Sequence, residues 1–584
     1  MAIQAYKMKR KLFLILVFLI NYTFAFSQSG NDQQQAIFVV GKPLSSTDSN
    51  FIKELYFEGI HEKIVQNYQK AAETFSSIIE IDPSHHAALY ELATIDHARG
   101  QEKNAERLIR NAVTVKPENE WYWLLLADIY KKANKMPDLV LVFDELIQLS
   151  PEKIDYHFDK AKALILQNKV DDALKVYKEI EKRFGVSDEL TFATNAALNQ
   201  GKPDKIKDQL EIQIQNNPHD LSSYLYLSES YSKEGSWKKA LAVLEKAKIQ
   251  SPDNSIIRLA LADNYLAMRN LDDAFNELKI AFEDIDLNID KKVKIVLTFF
   301  PLFTDAKARN YAVQLASIMA DKHSDEAKAF AIYGDVLFQN QQYDKSLDAY
   351  KKALKLNAQV YQIWEQLVRI EVSQGKYTEA ISDGEEALSI FPNQSELYLY
   401  TGIAYSQTKK HEKAITYLKN AAALQLEDNA ALSQIYSSLG DSYNALKKYK
   451  ESDSAYEKSL DLSPDNSYTL NNYAYYLSLR RENLVEAEKM SRKSNELEPN
   501  NSSYQDTYAW ILFRLNRFQE AEDWILKALG NSKTHNGVQV EHYGDILYHL
   551  DKKQKAFEQW QKAKTLGAKS DTLNKKINEK RYIE

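Results

Sequence analysis

The histidines come first, because imidazole is the commonest metal ligand and the side chain best suited to general acid–base work near neutral pH. There are eleven, and they are scattered. His85 and His86 adjoin each other just after Pro83. His535, His542 and His549 follow one another at intervals of seven residues, with His535 in the loop before a helix. Seven residues on a helix is about two turns, roughly 10 Å of rise, too far for two rings to share one ion. The chain has no cysteine, which excludes disulfides, thiolate metal sites, a lipid-bearing N-terminal cysteine and a cysteine nucleophile. No phosphate-binding glycine loop, HExxH, GxSxG or dinucleotide fingerprint is present. Carboxylate pairs abound, as on any solvated helix, and none stands isolated in an apolar context that would raise its pKa. The expectation is of no catalytic residue, no metal site and no cofactor.

The elements that would position any site are easier to read. Leu221–Asn254 holds two amphipathic patterns. Tyr224, Leu227, Ser228 and Tyr231 share one helical face, and Trp237, Ala240, Leu244 and Ala247 share another. Gly235 separates them and Pro252 ends the second. A unit with two narrow apolar faces cannot bury both alone, so it needs copies of itself on either side. Those copies exist. Units begin near Ile52, His86, Glu120, Ile154, Ser187, Leu221 and Ser255, in steps of 34, 34, 34, 33, 34 and 34. A second series begins near Ala327, Tyr361, Ser395, Ser433, Ser467, Ser502 and Gly537, in steps of 34, 34, 38, 34, 35 and 35. The four extra residues fall around Gln425–Ala430, read as a loop. Each first helix carries a small residue in register, such as Gly59, Ala93, Gly334, Gly440 or Gly544, expected to meet a small residue on the second helix.

Fourteen such units resemble the tetratricopeptide repeat (TPR) family over nearly everything from Ile52 to Ala568. The resemblance implies an all-α right-handed solenoid of about 15 antiparallel helix pairs, with first helices lining a concave groove. Residues 52–285 read as an N-terminal array and 327–568 as a C-terminal array. Asp286–Glu326 is helical in period but out of register, with Pro301 mid-pattern, and reads as a degenerate joint. Asp571–Ile583 reads as one amphipathic helix capping the array, within 569–584.

By the same analogy the ninth residues of the units face the groove. Asp128, Glu229, Asp263, Asp335, Asp441 and Asp545 stand there as acids, against Lys162 and Arg369. An acidic stripe would favour a basic or donor-rich partner. The segments TLNNYAYYLS and YQDTYAWILFRL put Asn471, Tyr475, Asp506 and Trp510 at the fifth and ninth positions of neighbouring first helices. An amide, a carboxylate and two rings there suit an extended peptide, so these four are the expected partner-binding residues. The Lys/Asn/Arg clamp that some members of the family place across three first helices is not found here.

Composition agrees with this architecture. Glycine (16) and proline (12) make under five per cent of 584 residues, against roughly twelve per cent in average usage, which argues against a turn-rich β fold. Met1–Ser27 differs from the rest. Lys7, Lys9, Arg10 and Lys11 precede the apolar Leu12–Ile20, and Ala25-Phe26-Ser27 supplies small residues for a signal peptidase. This reads as a secretory signal cut after Ser27, with a retained membrane anchor as the alternative; its end looks like signals common in the Bacteroidota. Residues 28–51 read as a flexible linker. Loss of the signal takes away four basic residues and shifts the net charge from −7 to −11, which speaks against nucleic-acid binding. The expected function is a non-catalytic periplasmic scaffold holding a protein or peptide in its groove. The alternatives are a membrane-tethered assembly factor and a glycan-binding accessory of polysaccharide export.

Overall fold

The computed structural model describes residues 45–198, 203–425, 428–532 and 536–584. The expected signal segment, most of the linker and His535 lie outside them. Among the described residues there are 31 α-helices, one 3-10 turn and no strand. Thirty of these helices form fifteen antiparallel pairs, from Ser46–Ile64 with Tyr68–Ile81 to Gly537–His549 with Lys553–Thr565, and Leu573–Glu579 follows them.

The turn inside most pairs is the same. In the Leu221 unit, Ser236 N–H donates to the Tyr231 carbonyl at 2.8 Å and Gly235 N–H to that of Ser232 at 2.9 Å. These bonds close the first helix with a left-handed residue, Gly235 at φ 72°. The same conformation recurs at Gly100, Asn134, Asn168, Gly375 and Asn516, and at Arg269, Gln341, Lys409 and Lys447, where the side chain gives no such advantage.

The small residue of each first helix does more than meet another small residue. A Cβ on Gly334 or Gly440 would stand 2.7 Å from the ring of Tyr350 or Tyr456, and one on Gly544 2.5 Å from Trp560. Each ring lies sixteen residues after its glycine, on the second helix, so the pairing is small against large. The small second-helix residue contributes a bond instead. Ser346 Oγ donates to the Gly334 carbonyl and Ser452 Oγ to that of Gly440, both at 2.8 Å. Trp237, on the helical face of Ala240 and Leu244, is only half-buried, and Leu244 fills the core of its unit.

Three boundaries differ from the sequence reading. The first helix begins at Ser46, inside the expected linker, because Ser45 Oγ accepts from Asp48 N–H and caps it. The extra residues near 425–430 are partly helical: Asn429–Ala445 runs for 17 residues, where most first helices have 13, capped by Asp428. The capping helix is only Leu573–Glu579; Lys580 turns left-handed at φ 50° and Arg581–Glu584 leaves the helical path. The joint keeps its core despite losing register. Ile289–Thr298, the turn Phe300–Leu302 holding Pro301, and Ala306–Lys322 share one apolar cluster with Phe275, Phe282 and Val336 on the flanking units. The ammonium of Lys292, fully buried, donates to the Phe282 and Asp284 carbonyls at 2.9 and 2.6 Å and to His323 Nε2 at 2.8 Å. It thereby satisfies carbonyls at the end of one helix while pinning two others.

The solenoid also meets itself. The end of the Ser46–Ile64 helix touches units some 300 residues later. Gln362 Nε2 donates to Gln66 Oε1 at 2.8 Å, Asn393 Nδ2 to Glu62 Oε2 at 3.1 Å and Gln394 Nε2 to the Val65 carbonyl at 2.9 Å. Val65 is buried in the same apolar cluster as Trp364 and Phe391.

Candidate functional site in the groove

Three of the ninth-position acids, Asp335, Asp441 and Asp545, are committed within the fold. Tyr350 OH donates to Asp335 at 2.6 Å, Tyr456 OH to Asp441 at 2.6 Å and Trp560 Nε1 to Asp545 at 2.9 Å. In these three units a Gly-Asp dipeptide thus admits a ring from the second helix and accepts its polar edge. Asp128 meets His97 Nε2 at 2.9 Å, and Glu229 pairs with Lys233 at 2.7 Å. Half of the acidic stripe is thus an internal hydrogen-bonding system, while Asp128, Glu229 and Asp263 remain exposed.

A wide groove-side opening lies one unit earlier than expected. First helices Ser395–Gln407, Asn429–Ala445 and Ser467–Arg480 line a cavity of about 750 Å³ with Gln407, Gln434, Ser437, Asp441, Tyr468 and Tyr476. Asp441 orders its floor: Oδ1 accepts from Tyr456 OH and, at 3.3 Å, from Asn472 Nδ2, while Oδ2 accepts from Tyr468 OH at 2.8 Å. Burial raises the Asp441 pKa against the lowering pull of the Tyr456 and Tyr468 hydroxyls. Ser437 Oγ and His411 Nδ1, both buried in this wall, make no hydrogen bond to the described residues. Buried polar atoms normally find a partner, and these two lie in the wall without one. Of the residues at this site, register alone points only to Asp441. The extra turn of Asn429–Ala445, which brings Ala430 to the cavity, was the available signal.

The four expected residues are adjacent, as their register requires, but three are buried: Asn471 at 6%, Asp506 at 9% and Trp510 at 5% exposure. Tyr475 is half-buried, and burial pushes its hydroxyl up to about 12, with the Asp506 charge adding to the effect. His542 Nδ1 bonds Asp506 Oδ1 at 2.9 Å. Burial opposes the charge on His542, but Asp506, with Asp545 and Glu541 beside it, prevails and the pKa is raised. The Trp510 ring stacks on His542 at 4.1 Å and on Phe513 at 4.9 Å, with the Arg514 guanidinium 4.5 Å over it. Trp510 is therefore packed between neighbouring helices rather than presented to solvent. Over Arg514 lies the segment that follows Lys580. Tyr582 meets His549 and Phe513 edge-on at 4.7 and 5.9 Å, and Glu584 accepts from Arg514 Nη1 at 3.1 Å and pairs with Arg481. Lys576 anchors this segment: it is buried, and bonds Glu541 at 2.9 Å and Asp545 at 2.7 Å.

Contrary to expectation, burial raises several carboxylates, Asp335, Glu365 and Glu371 as well as Asp441. Glu371, between Ile370 and Val372, is fully buried and lies 3.0 Å from Lys351 Nζ, which is also 3.0 Å from Asp383. Burial first, then the hydrogen bond to Asp383, push it up to about 8. It stands where its helix passes the second helices Tyr343–Leu356 and Tyr377–Ile390, so it is a packing junction away from the groove cavity. Among the described residues no group of three or more His, Asp or Glu could hold a metal ion, and no helix is long and apolar enough to cross a membrane.

Comparison with known proteins accords with this geometry. The chain is similar to a BBSome complex member BBS4 homolog of Drosophila melanogaster, 22% identical over 47% of this chain and 59% of that protein. It is likewise similar to BBSome complex member BBS4 of Bos taurus, 23% identical over 58% of this chain and 66% of that protein. It thus spans less than two thirds of the length of these relatives. A crystal structure of a tetratricopeptide repeat protein from Parabacteroides merdae matches 44% of this chain and 98% of its own at 18% identity and a TM-score of 0.36. Models of the tetratricopeptide repeat match residues 78–359, 333–395 and 433–466, together more than half of the chain. With the repeating helix pairs, the constant turn and the stacked small-against-large contacts, these matches establish that the chain belongs to the tetratricopeptide repeat family.

Proposed function

We propose that this chain is a non-catalytic scaffold of the bacterial envelope, exported by Met1–Ser27, that holds a protein or peptide partner against its first helices. The observation that carries the reading is the 750 Å³ cavity across three successive first helices, whose wall keeps Ser437 Oγ and His411 Nδ1 buried without a protein partner. Amides and hydroxyls at Gln407, Gln434 and Ser437 can fix a peptide backbone, and the Tyr468 and Tyr476 rings can cover its apolar side chains. Membership of a family of protein-interaction scaffolds supports the reading, as do relatives named as members of a complex. The test is capture from a periplasmic extract by the tagged full chain and by a Gln407→Ala, Gln434→Ala variant. Both residues are exposed, so the variant should fold normally. Partner recovered by the wild type and lost by the variant is expected; equal recovery would refute the site. A glycan array run in parallel decides whether the hydroxyl and amide lining serves a sugar instead. Mass spectrometry of the mature N-terminus separates a cleaved signal from a membrane tether.

A further inference from the structure

We propose that Arg481, Phe513, Arg514 and His549 form a second docking surface, specific for an extended peptide with an aromatic ring two residues ahead of a carboxylate, and that the chain's own Arg581–Glu584 occupies it in cis. The inference rests on the reading of the first-helix face as a partner-binding surface, and names partner chemistry and regulation there. The occupant is the template. Beyond Lys580 the chain is not helical, and in an extended segment residues two apart point to the same side. Tyr582 and Glu584 obey this: the ring meets His549 and Phe513, and the carboxylate meets Arg514 and Arg481. Two guanidinium groups beside a ring-lined step would reject a basic peptide and accept an acidic one.

Two observations point to an exchangeable occupant rather than a permanent cap. Arg581 and Glu584 are exposed, and the cap helix has its own anchorage at Lys576, so the segment beyond Lys580 can leave without it. Beneath the segment, Arg514 Nε and Trp510 Nε1 are buried without hydrogen-bond partners, although Arg514 is only 11% exposed and Trp510 only 5%. The cis segment therefore leaves donors unused, and a partner that satisfies them would bind more tightly.

The probe is a fluorescein-labelled peptide, Glu-Lys-Arg-Tyr-Ile-Glu, titrated by anisotropy against the full chain and against a full-chain Tyr582→Ala, Glu584→Gln variant. The variant should bind it at least tenfold more tightly than the wild type, because the cis competitor is gone. Adding Arg514→Gln to the variant, or replacing the peptide's tyrosine by alanine, should abolish the gain. Equal binding by wild type and variant, or a gain insensitive to both changes, would overturn the proposal. Should Tyr582→Ala disturb the cap helix, Glu584→Gln alone keeps the ring seated and should still raise affinity about threefold; no gain there also overturns it. The titration needs no natural partner, so its outcome is independent of the capture experiment above.

Discussion

Gly440→Ala tests the packing logic that shapes the groove. The added methyl would stand 2.7 Å from Tyr456 Cε1 and Cζ and 2.8 Å from Cδ1, so the ring must move. Tyr456 is fully buried, and overpacking of this kind costs about 1–3 kcal/mol. Moving the ring also strains the 2.6 Å bond from Tyr456 OH to Asp441, and a hydrogen bond to a charged group is worth about 1.5–3 kcal/mol. Against this, alanine within a helix is favoured over glycine by roughly 0.5–1 kcal/mol. The balance is a loss of about 2–4 kcal/mol. Gly530→Ala is the control: Gly530 is helical, and nothing lies within 4 Å of its Cβ position, so the same change should stabilise by up to about 1 kcal/mol. In a linear array such effects are local, so the assay is amide exchange across Asn429–Leu462 alongside a urea melt. Protection there should fall by roughly 10²-fold in Gly440→Ala and not in Gly530→Ala. If both variants behave as the control does, the glycine is not placed to admit the ring and the small-against-large reading fails.

Three further outcomes follow from buried contacts. Glu371 is held near pKa 8 in the folded chain against an ordinary 4.5, so the folded state binds more protons between these values and stability falls as pH rises from about 4.5 to about 8. Glu371→Gln should flatten this dependence and be the more stable protein at pH 9; parallel melting-versus-pH curves would refute it. Trp510→Ala removes a packed ring and should cost about 3–5 kcal/mol of local stability, read as lost amide protection in Ser502–Arg514; wild-type protection would mean that the ring is not packed as described. Val65→Asp buries a charge where the first unit meets the later ones and should enlarge the radius of gyration in X-ray scattering without loss of helicity; an unchanged profile would show that the contact does not hold the coil closed.

Periodicity alone specifies the repeat. Helix pairs recur every 34 residues because apolar faces at that period can only be buried against copies of themselves, and this is local information visible in any one unit. The neighbourhood of Asn471, Tyr475, Asp506 and Trp510 followed from the same register. Their exposure did not, because it depends on what lies on top, and Arg514 with Tyr582 roofs Trp510 through a contact 70 residues along the chain between Arg514 and Glu584. Nor did register show that Tyr350, Tyr456 and Trp560 consume three of the ninth-position acids, since a ring sixteen residues away must first be seen to swing over a glycine. The joint is the clearest division between the two kinds of information. Its sequence shows only lost register and a proline, whereas packing across Phe282, Lys292 and His323 makes it a continuous part of the core. Periodicity reports which face of a helix is apolar; packing at long range settles which face meets which, and what is left for a partner.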